Sequence, residues 1–410
     1  MASETRKLLA LASASLLFSL LVVEVIVRLI EPREVLREFF ETRDQVLHHK
    51  FIPGARGRQK TVEFDAPYEI NALGLRSPEI TPAKPAGTKR LLMLGDSFTE
   101  GLGVSGDETF TSQLRAQLEQ AGLGSRWQVI NGGVASYSPI LEYLYLKHGG
   151  LAIEPDLVIL NLDLSDIFDD IQYAQLAQFD AAGEPIAVRA DLVPEPGSWA
   201  AAVGVGLKDL LKYNTRTYNF VRRRLVPLIE GSRHTPDFSG DVRGDKYGML
   251  RADPASLDDG PWSDTYDHLL RIRKLLRDRQ IDSWIAVYPY GLQISEKEWA
   301  EGRPFWGFEV DRVYSGRPQE LIEAFGRKHE ITVINMMPEF QDAARTTFPL
   351  YYEGDGHWRP AGHKVAAASL FKAVAPYIRE REQRQASHAS AAGAAMATAP
   401  VSDRPAPQSR

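Results

Sequence analysis

The chain of 410 residues contains no cysteine. This absence excludes disulfide bonds, thiolate zinc sites, iron–sulfur clusters and a cysteine nucleophile. It indicates no compartment, because a chain without cysteine is compatible with reducing and oxidising surroundings alike. The sequence also lacks an excess of charge of one sign, since 48 Lys and Arg stand against 54 Asp and Glu, for a net charge of −6. A nucleic-acid-binding protein usually carries a basic excess, so this balance gives no support for such a partner.

The two ends of the chain differ from its middle. Hydrophobic residues make up 44% of the sequence and charged residues 25%, which is typical of a globular protein. From Gln383 onward, however, residues 383–410 are rich in Ala, Ser, Pro and Gln and include no aromatic side chain. Such a segment cannot bury enough apolar surface to offset the entropy lost on ordering, so we predict a disordered tail.

The N-terminal end carries a long apolar run. No charged residue occurs from Leu8 to Val23, and the apolar character continues to Ile30. A helix over residues 8–30 would be about 34 Å long, enough to cross the hydrocarbon core of a bilayer. A cleaved signal peptide and a surface helix are the alternatives. The run is followed by large residues instead of a small-residue cleavage site, and it is apolar on all faces, so we predict an uncleaved transmembrane anchor.

The charges beside this anchor predict its orientation. Arg6 and Lys7 precede the apolar run, and by the positive-inside rule they place residues 1–7 in the cytoplasm. The rest of the chain would then lie on the extracytoplasmic, periplasmic side of a single-pass membrane protein. For residues 31–86 we predict a charged juxtamembrane helix up to Lys50, followed by a linker rich in Gly and Pro.

The middle of the sequence, residues 87–382, alternates short apolar runs with stretches of helical periodicity. The apolar runs are Arg90–Leu94, Trp127–Ile130, Leu157–Leu162, Trp284–Tyr288 and Ile331–Asn335. The helix-period stretches are Phe110–Ala121, Ser138–His148, Tyr266–Arg279, Gln319–His329 and Gly362–Ile378. Runs of this length and composition are typical of buried parallel strands. Their alternation with helices predicts one α/β domain with a parallel sheet and helices on both faces.

Residues 171–264 interrupt this alternation, because they contain no clear strand pattern. We interpret them as a helical insertion or cap within the α/β domain, with one helix over Trp199–Arg224. The sequence does not indicate what this insertion does.

The first apolar run leads directly into Gly95-Asp96-Ser97. In an open parallel sheet, ligands bind at the carboxyl ends of the strands, so Ser97 lies where a reactive group is expected. Ser97 would also open the following helix with a free N–H, which can stabilise a developing oxyanion. The alternative is an ordinary helix cap at a strand–helix turn.

A second set of polar residues, Asp355 and His357, follows the last predicted strand. A serine nucleophile needs a base within hydrogen-bond reach and a carboxylate that holds the base in the right tautomer. Two residues on one loop permit a contact between that carboxylate and the histidine. The alternative is a surface turn with polar caps.

Taken in order, these blocks resemble the SGNH/GDSL hydrolase superfamily. The first and last blocks are Gly95-Asp96-Ser97 and Asp355-x-His357, the second is Val129–Ser138, and the third leads from Asp156–Leu160 to Ser165-Asp166. Upstream, Asn71–Ser77 is similar to a segment of membrane-anchored members. The resemblance implies a flavodoxin-like, three-layer α/β/α fold with a sheet of about five strands.

The resemblance also implies roles for individual residues. Ser97 matches the nucleophile, His357 the general base and Asp355 the acid that orients the base. The family usually has this acid three residues before the histidine, whereas here it is two residues before, a variant similar to that of anchored members. This chemistry requires no cofactor and no metal.

The chain departs from the family pattern at the oxyanion hole. The glycine of the second block, which donates its backbone N–H, aligns with Ser136, and the asparagine of the third block aligns with Ser165. A backbone N–H survives the first exchange if Ser136 adopts the required backbone angles. The second exchange replaces an amide by a shorter hydroxyl. Gly133 is a further candidate backbone donor.

The expected function is that of a membrane-anchored serine esterase or acyl hydrolase acting through an acyl-enzyme. An acetylated glycan of the cell envelope fits the location as the ester substrate. One alternative is a polysaccharide O-acyltransferase with the same triad. A second is a binding or assembly protein that keeps the fold but has lost efficient catalysis, which the two serines at the oxyanion positions favour. The oligomeric state is left open.

Overall fold

The computed structural model describes residues 2–30, 40–190, 217 and 246–397. The strands of the described chain are β1 (Glu41–Arg43), β2 (His49–Phe51), β3 (Arg56–Lys60), β4 (Asp65–Glu69), β5 (Lys89–Gly95), β6 (Trp127–Asn131), β7 (Leu157–Leu162), β8 (Ala177–Phe179), β9 (Pro185–Val188), β10 (Asp282–Val287) and β11 (Thr332–Asn335). The α-helices are Ala2–Ile30, Ser97–Glu100, Phe110–Gln120, Pro139–His148, Asp166–Ala174, Gly248–Arg251, Ser263–Arg277, Gly291–Ile294, Arg317–Lys328, Met337–Ala344 and Pro360–Ala397. Short 3₁₀ helices occur at Gly150–Ile153, Gly260–Trp262 and Arg303–Trp306.

Five of these strands form one parallel sheet in the order β6-β5-β7-β10-β11. The chain passes from β5 to β6 on one side and then returns to β7 on the other. In chain order of the five strands this is the flavodoxin-like arrangement 2-1-3-4-5. Its topological switch point lies between β5 and β7, and ligands of such sheets bind at the carboxyl ends of the strands at that point.

Helices cover both faces of this sheet. On one face, Phe110–Gln120 packs against Pro360–Ala397, and on the other, Pro139–His148 packs against Ser263–Arg277. The second layer extends to the helix Arg317–Lys328 through stacked rings of Tyr266 and Phe325, whose centroids are 4.0 Å apart. The predicted three-layer α/β/α fold class is confirmed.

Burial on both faces explains why the strands were readable in the sequence. All residues of β7 are buried, and in β5 only Lys89 is partly exposed. In a strand covered on both faces, nearly every residue is apolar, whereas in a half-exposed strand apolar and polar residues alternate. The strand β7 coincides with the predicted run Leu157–Leu162, and the other four strands differ from prediction by one or two residues at one or both ends.

The region between the anchor and the sheet contains two antiparallel hairpins, β1–β2 and β3–β4. The prediction of a juxtamembrane helix up to Lys50 is therefore wrong from residue 41 onward, and residues 31–39 lie outside the described part of the chain. Phe51 and Tyr68 are fully buried in a cluster with Tyr137 of the main domain. These strands are short and polar on one face, and packing against a distant part of the chain stabilises them.

The first part of the predicted insertion is not helical throughout. Residues 171–174 belong to the helix Asp166–Ala174, and β8 and β9 then form a third hairpin. β9 is bound to the β1–β2 turn, where the His48 N–H donates to the Val188 carbonyl at 2.8 Å. Because that partner lies far away in sequence, no local pattern indicates the hairpin. The predicted helix Trp199–Arg224 lies outside the described residues, apart from Thr217.

Both ends of the described chain are helical. The helix Ala2–Ile30 covers the predicted anchor. The helix Pro360–Ala397 continues beyond Gln383, where we predicted a disordered tail. Alanine has the highest intrinsic helix propensity, so the Ala-rich sequence extends the helix without a packing partner being required. Residues 398–410 lie outside the described part of the chain.

Candidate active site

β5 leads directly into the candidate nucleophile. The strand ends at Gly95, and the short helix Ser97–Glu100 follows. Gly95 has a φ of 150°, and a Cβ there would lie 2.3 Å from Thr99 Oγ1, so the turn requires glycine. The Asp96 side chain caps the helix by accepting a hydrogen bond from its backbone. The turn thus places Ser97 at the carboxyl end of β5, at the topological switch point.

The structure brings Ser97, His357 and Asp355 into one hydrogen-bonded row. Ser97 Oγ lies 2.7 Å from His357 Nε2, and His357 Nδ1 lies 2.5 Å from Asp355 Oδ1. The carboxylate can only accept at Nδ1, so the proton of the neutral imidazole is on Nδ1. His357 Nε2 is therefore free to accept the Ser97 proton, which is the arrangement a general base requires.

Aromatic side chains restrict the loop that carries His357. The Phe98 ring packs on the His357 ring with centroids 4.7 Å apart. Gly356 has a φ of 89°, and a Cβ there would lie 2.6 Å from Trp299 Nε1. Trp299 Nε1 also donates to the Gly354 carbonyl at 3.3 Å. Because the loop lies against a buried tryptophan, the histidine has little freedom to move away from the serine.

Glu63, at the turn between β3 and β4, holds the backbone of the catalytic loop. Its carboxylate accepts hydrogen bonds from the N–H of Gly354 at 3.0 Å and of Asp355 at 2.7 Å. Sequence reasoning missed this residue, because it lies in a segment taken for a linker and belongs to no motif. Glu63 thus contacts the candidate site through the main chain of Asp355.

Glu100 is a second residue that sequence reasoning missed. Its carboxylate is fully buried and accepts hydrogen bonds from the Tyr68 hydroxyl and, at 2.8 Å, from the Ala135 N–H. It therefore joins the nucleophile helix to the loop that follows β6. The sequence feature that could have pointed to Glu100 is its position in the Gly-Asp-Ser block, three residues after Ser97.

Asp96 gives the nucleophile a buried carboxyl neighbour. The residue is 5% exposed, and its Oδ1 accepts a hydrogen bond from the Tyr288 hydroxyl at 2.8 Å. Burial, and then the nearby charge of Asp163, raises the pKa of Asp96 to about 7. Its neutral form is thereby favoured next to the candidate nucleophile.

The loop after β6 leaves one backbone donor without an internal acceptor. Its N–H groups donate as follows: Gly132 to Met93, Gly133 to Asn131, Val134 to Gly95, Ala135 to Glu100 and Tyr137 to Val134. Among the residues that the structure describes, only the Ser136 N–H of this stretch has no acceptor. The Ser97 N–H likewise has no acceptor in the described chain. The N–H groups of Ser97 and Ser136 are therefore the two candidate backbone donors for an oxyanion.

Ser136 adopts the left-handed backbone conformation that its predicted role requires. Its φ is 60°, and it occupies the third position of a turn closed by the Tyr137 N–H and the Val134 carbonyl at 3.0 Å. A residue with a side chain is strained there by about 1–2 kcal/mol relative to glycine. Ser136 therefore keeps the backbone N–H that the aligned glycine would supply. Contacts with neighbouring residues must offset the strain of this backbone conformation.

The other two candidate donors are engaged elsewhere, which corrects the expectation for both. The Ser165 hydroxyl donates to Asp163 Oδ1 at 2.7 Å, and its N–H donates to the same atom at 2.6 Å. The Gly133 N–H donates to Asn131 Oδ1 at 2.9 Å, and a Cβ at this position would lie 2.3 Å from Glu100 N. The hydroxyl of Ser165 therefore points toward the Asp163 carboxylate. At Gly133 the absence of a side chain lets the backbone pack closely against the helix Ser97–Glu100.

The acidic residues at the end of β7 form a capping network. Asp163 Oδ1 accepts from the Asp166 N–H at 3.2 Å, and Asp166 Oδ2 accepts from the Asp163 N–H at 2.8 Å. Burial is the main cause that raises the pKa of Asp166 well above its usual range and that of Asp169 to about 7. Through these reciprocal hydrogen bonds Asp163 and Asp166 close the turn at the start of the helix Asp166–Ala174.

No family model matches the sequence, and no curated protein does. Solved structures do match. An acetyl xylan esterase, AlAXEase, is similar over 70% of this chain and 99% of its own, with a TM-score of 0.36 and 12% identity. A lipolytic protein of the G-D-S-L family from Desulfitobacterium hafniense DCB-2 (TM-score 0.34, 11% identity) and TesA (0.36, 13%) each match over 70% of this chain and 99% of their own. At such identities the likeness is one of fold.

Proposed function

We propose that this protein is a serine esterase of SGNH type that hydrolyses an ester through an acyl-enzyme. The observation that carries the proposal is the contact between Ser97 Oγ and His357 Nε2 at 2.7 Å, with Asp355 on the far side of the imidazole. A serine, a base in the correct tautomer and an orienting carboxylate are the parts that covalent acyl transfer needs.

The geometry supports a two-step mechanism. Ser97 Oγ attacks the ester carbonyl while His357 Nε2 takes its proton, and the oxyanion forms beside the N–H groups of Ser97 and Ser136. His357 then protonates the leaving alcohol as the C–O bond breaks, which leaves an acyl-Ser97. In the second step His357 deprotonates a water that attacks the acyl carbonyl, and Ser97 recovers its proton as the acid departs.

The oxyanion hole contains two backbone donors and lacks a donor at Ser165. Loss of one such donor costs about 10²–10³ in rate in serine hydrolases. We therefore expect slower turnover than the family pattern with its third-block asparagine would give. The same feature favours the second candidate function, a protein of this fold that binds a ligand without efficient catalysis.

Labelling with a fluorophosphonate tests the catalytic proposal, because the reagent bonds only to an activated serine. Wild-type protein should be labelled at a single site, and Ser97→Ala should resist the reagent. Ser112→Ala, on the helix Phe110–Gln120, is the matched control and should be labelled like the wild type. Wild-type protein as resistant as Ser97→Ala would contradict the esterase proposal and favour the binding protein.

We also propose that the helix Ala2–Ile30 anchors the protein in a membrane, with the α/β domain outside. Residues Glu4–Val27 are long and apolar enough to cross a bilayer, and apolar side chains such as Leu11 (71%) and Phe18 (66%) are exposed. A domain in that location would meet envelope glycans, and an acylated glycan is the substrate class that we propose.

Fractionation of expressing cells tests the anchor. The full chain should stay with the membrane after an alkaline carbonate wash, and a chain without residues 2–30 should not. Protease added to spheroplasts should digest the α/β domain of the full chain but leave a cytoplasmic control protein intact. A full chain that the wash releases would argue against a spanning helix, and a protected domain would argue against the proposed side.

A further inference from the structure

His49, on β2, reaches the loop that carries Ser136. Its Nε2 lies 2.8 Å from the carbonyl oxygen of Ala135. A carbonyl oxygen only accepts, so Nε2 carries a proton and donates it. On the other side, the Tyr137 hydroxyl donates to the His49 carbonyl at 2.7 Å. The β1–β2 hairpin is thereby bound to the residues before and after Ser136.

His48 lies against the second ring nitrogen of His49. The Nδ1 atoms of the two rings are 3.0 Å apart. When His49 is neutral and protonated on Nε2, its Nδ1 can accept a hydrogen bond from His48 Nδ1–H. Burial, and then the charge of Arg43, lowers the pKa of His48, which favours its neutral form. Donation therefore runs from His48 through His49 to the Ala135 carbonyl.

That carbonyl and the Ser136 N–H belong to one planar peptide unit. A hydrogen bond that holds the carbonyl therefore fixes the direction of the N–H, and it also polarises the N–H. The Ala135 N–H is held as well, since it donates to Glu100 Oε2 at 2.8 Å. Contacts of this kind are needed here, because Ser136 has a φ of 60°, where only glycine is unstrained.

We infer that His49 is a positioning residue of the oxyanion hole, which holds the Ala135–Ser136 peptide so that its N–H faces the developing oxyanion. The inference rests on the proposed esterase function. It assigns a role in the reaction to the β1–β2 hairpin, which lies outside the α/β domain in sequence. His49 touches neither the substrate nor Ser97 in this role and acts only through the peptide that it holds.

Two substitutions of His49 separate hydrogen bonding from packing. His49→Phe keeps a ring of similar shape but removes the donor, and His49→Gln offers an amide N–H in its place. The measurement is kcat and KM for p-nitrophenyl acetate, with kcat expressed per site titrated to completion by a fluorophosphonate, so that unfolded molecules do not count. His148→Phe, at an exposed histidine, is the control for the chemical change.

We expect His49→Phe to lower kcat by about 10- to 100-fold with KM within about twofold, because a misplaced donor weakens only the transition state. His49→Gln should recover most of the loss, and His148→Phe should match the wild type. Unchanged kcat in His49→Phe, or a His49→Gln that is no better, would overturn the inference while leaving the esterase intact. A wild type that resists the phosphonate would instead overturn the proposed function, and this inference with it.

Discussion

Ser97→Ala should lower kcat for p-nitrophenyl acetate by about 10⁶-fold, and His357→Ala should lower it by about the same factor. The two groups are joined by the hydrogen bond of 2.7 Å between Oγ and Nε2, and neither performs its step without the other. The double variant should consequently be no slower than either single variant. Residual turnover in all three would come from binding and from the backbone donors that remain.

The measurement is steady-state kinetics on all three variants, with the circular dichroism spectrum of each to show that the fold is kept. Ser112→Ala and His148→Ala serve as matched controls, since they make the same chemical changes away from the row of Ser97, His357 and Asp355. Losses that multiply in the double variant would mean that Ser97 and His357 act independently, and the proposed mechanism would then be wrong.

Asp355→Asn should lower kcat by about 10⁴-fold while leaving KM nearly unchanged. The carboxylate accepts the Nδ1 proton of His357 at 2.5 Å, which keeps Nε2 bare and able to accept from Ser97. An asparagine of the same size can turn its NH₂ group toward Nδ1 and so favour the tautomer with the proton on Nε2. In that tautomer His357 cannot take the serine proton, although the substrate still binds.

Glu353→Gln is the matched control, because it makes the same change of charge two residues away on the same loop. It should keep kcat within about twofold of the wild type, as expected of a group outside the reacting centre. An Asp355→Asn variant with wild-type kcat would show that another group orients the base. Glu63, whose carboxylate is bound to the N–H groups of Gly354 and Asp355, would then be the first carboxylate to examine.

Local sequence was sufficient to predict the parallel sheet. The apolar run Leu157–Leu162 is a strand with the same bounds in the structure. A strand buried on both faces is apolar at nearly every residue, so its ends are visible in the sequence. The candidate triad was equally readable. Ser97 follows one strand, while Asp355 and His357 follow the last, and carboxyl ends of parallel strands meet at one edge of a sheet.

The hairpins before the sheet were not predictable in the same way. The strands β1, β2 and β3 show no apolar alternation, and that of β4 covers only five residues. Their stability comes from Phe51 and Tyr68, which pack on the main domain. A segment whose order depends on distant partners carries no local signal of that order. The sequence assigned no role to Glu63 or His49 for this reason, since both lie on these hairpins.

By itself, the sequence determined the fold class through its burial pattern. It indicated the candidate nucleophile and its two partners through their positions after strands together with the resemblance of the ordered blocks to a known family. Only the tertiary structure decided which candidate donors are left without an internal acceptor. Among the described residues the Ser136 N–H has none, at a φ of 60°, whereas the Ser165 hydroxyl donates to Asp163. A hydrogen bond goes to whichever acceptor the fold brings within about 3 Å, and residue type alone does not say which acceptor that is.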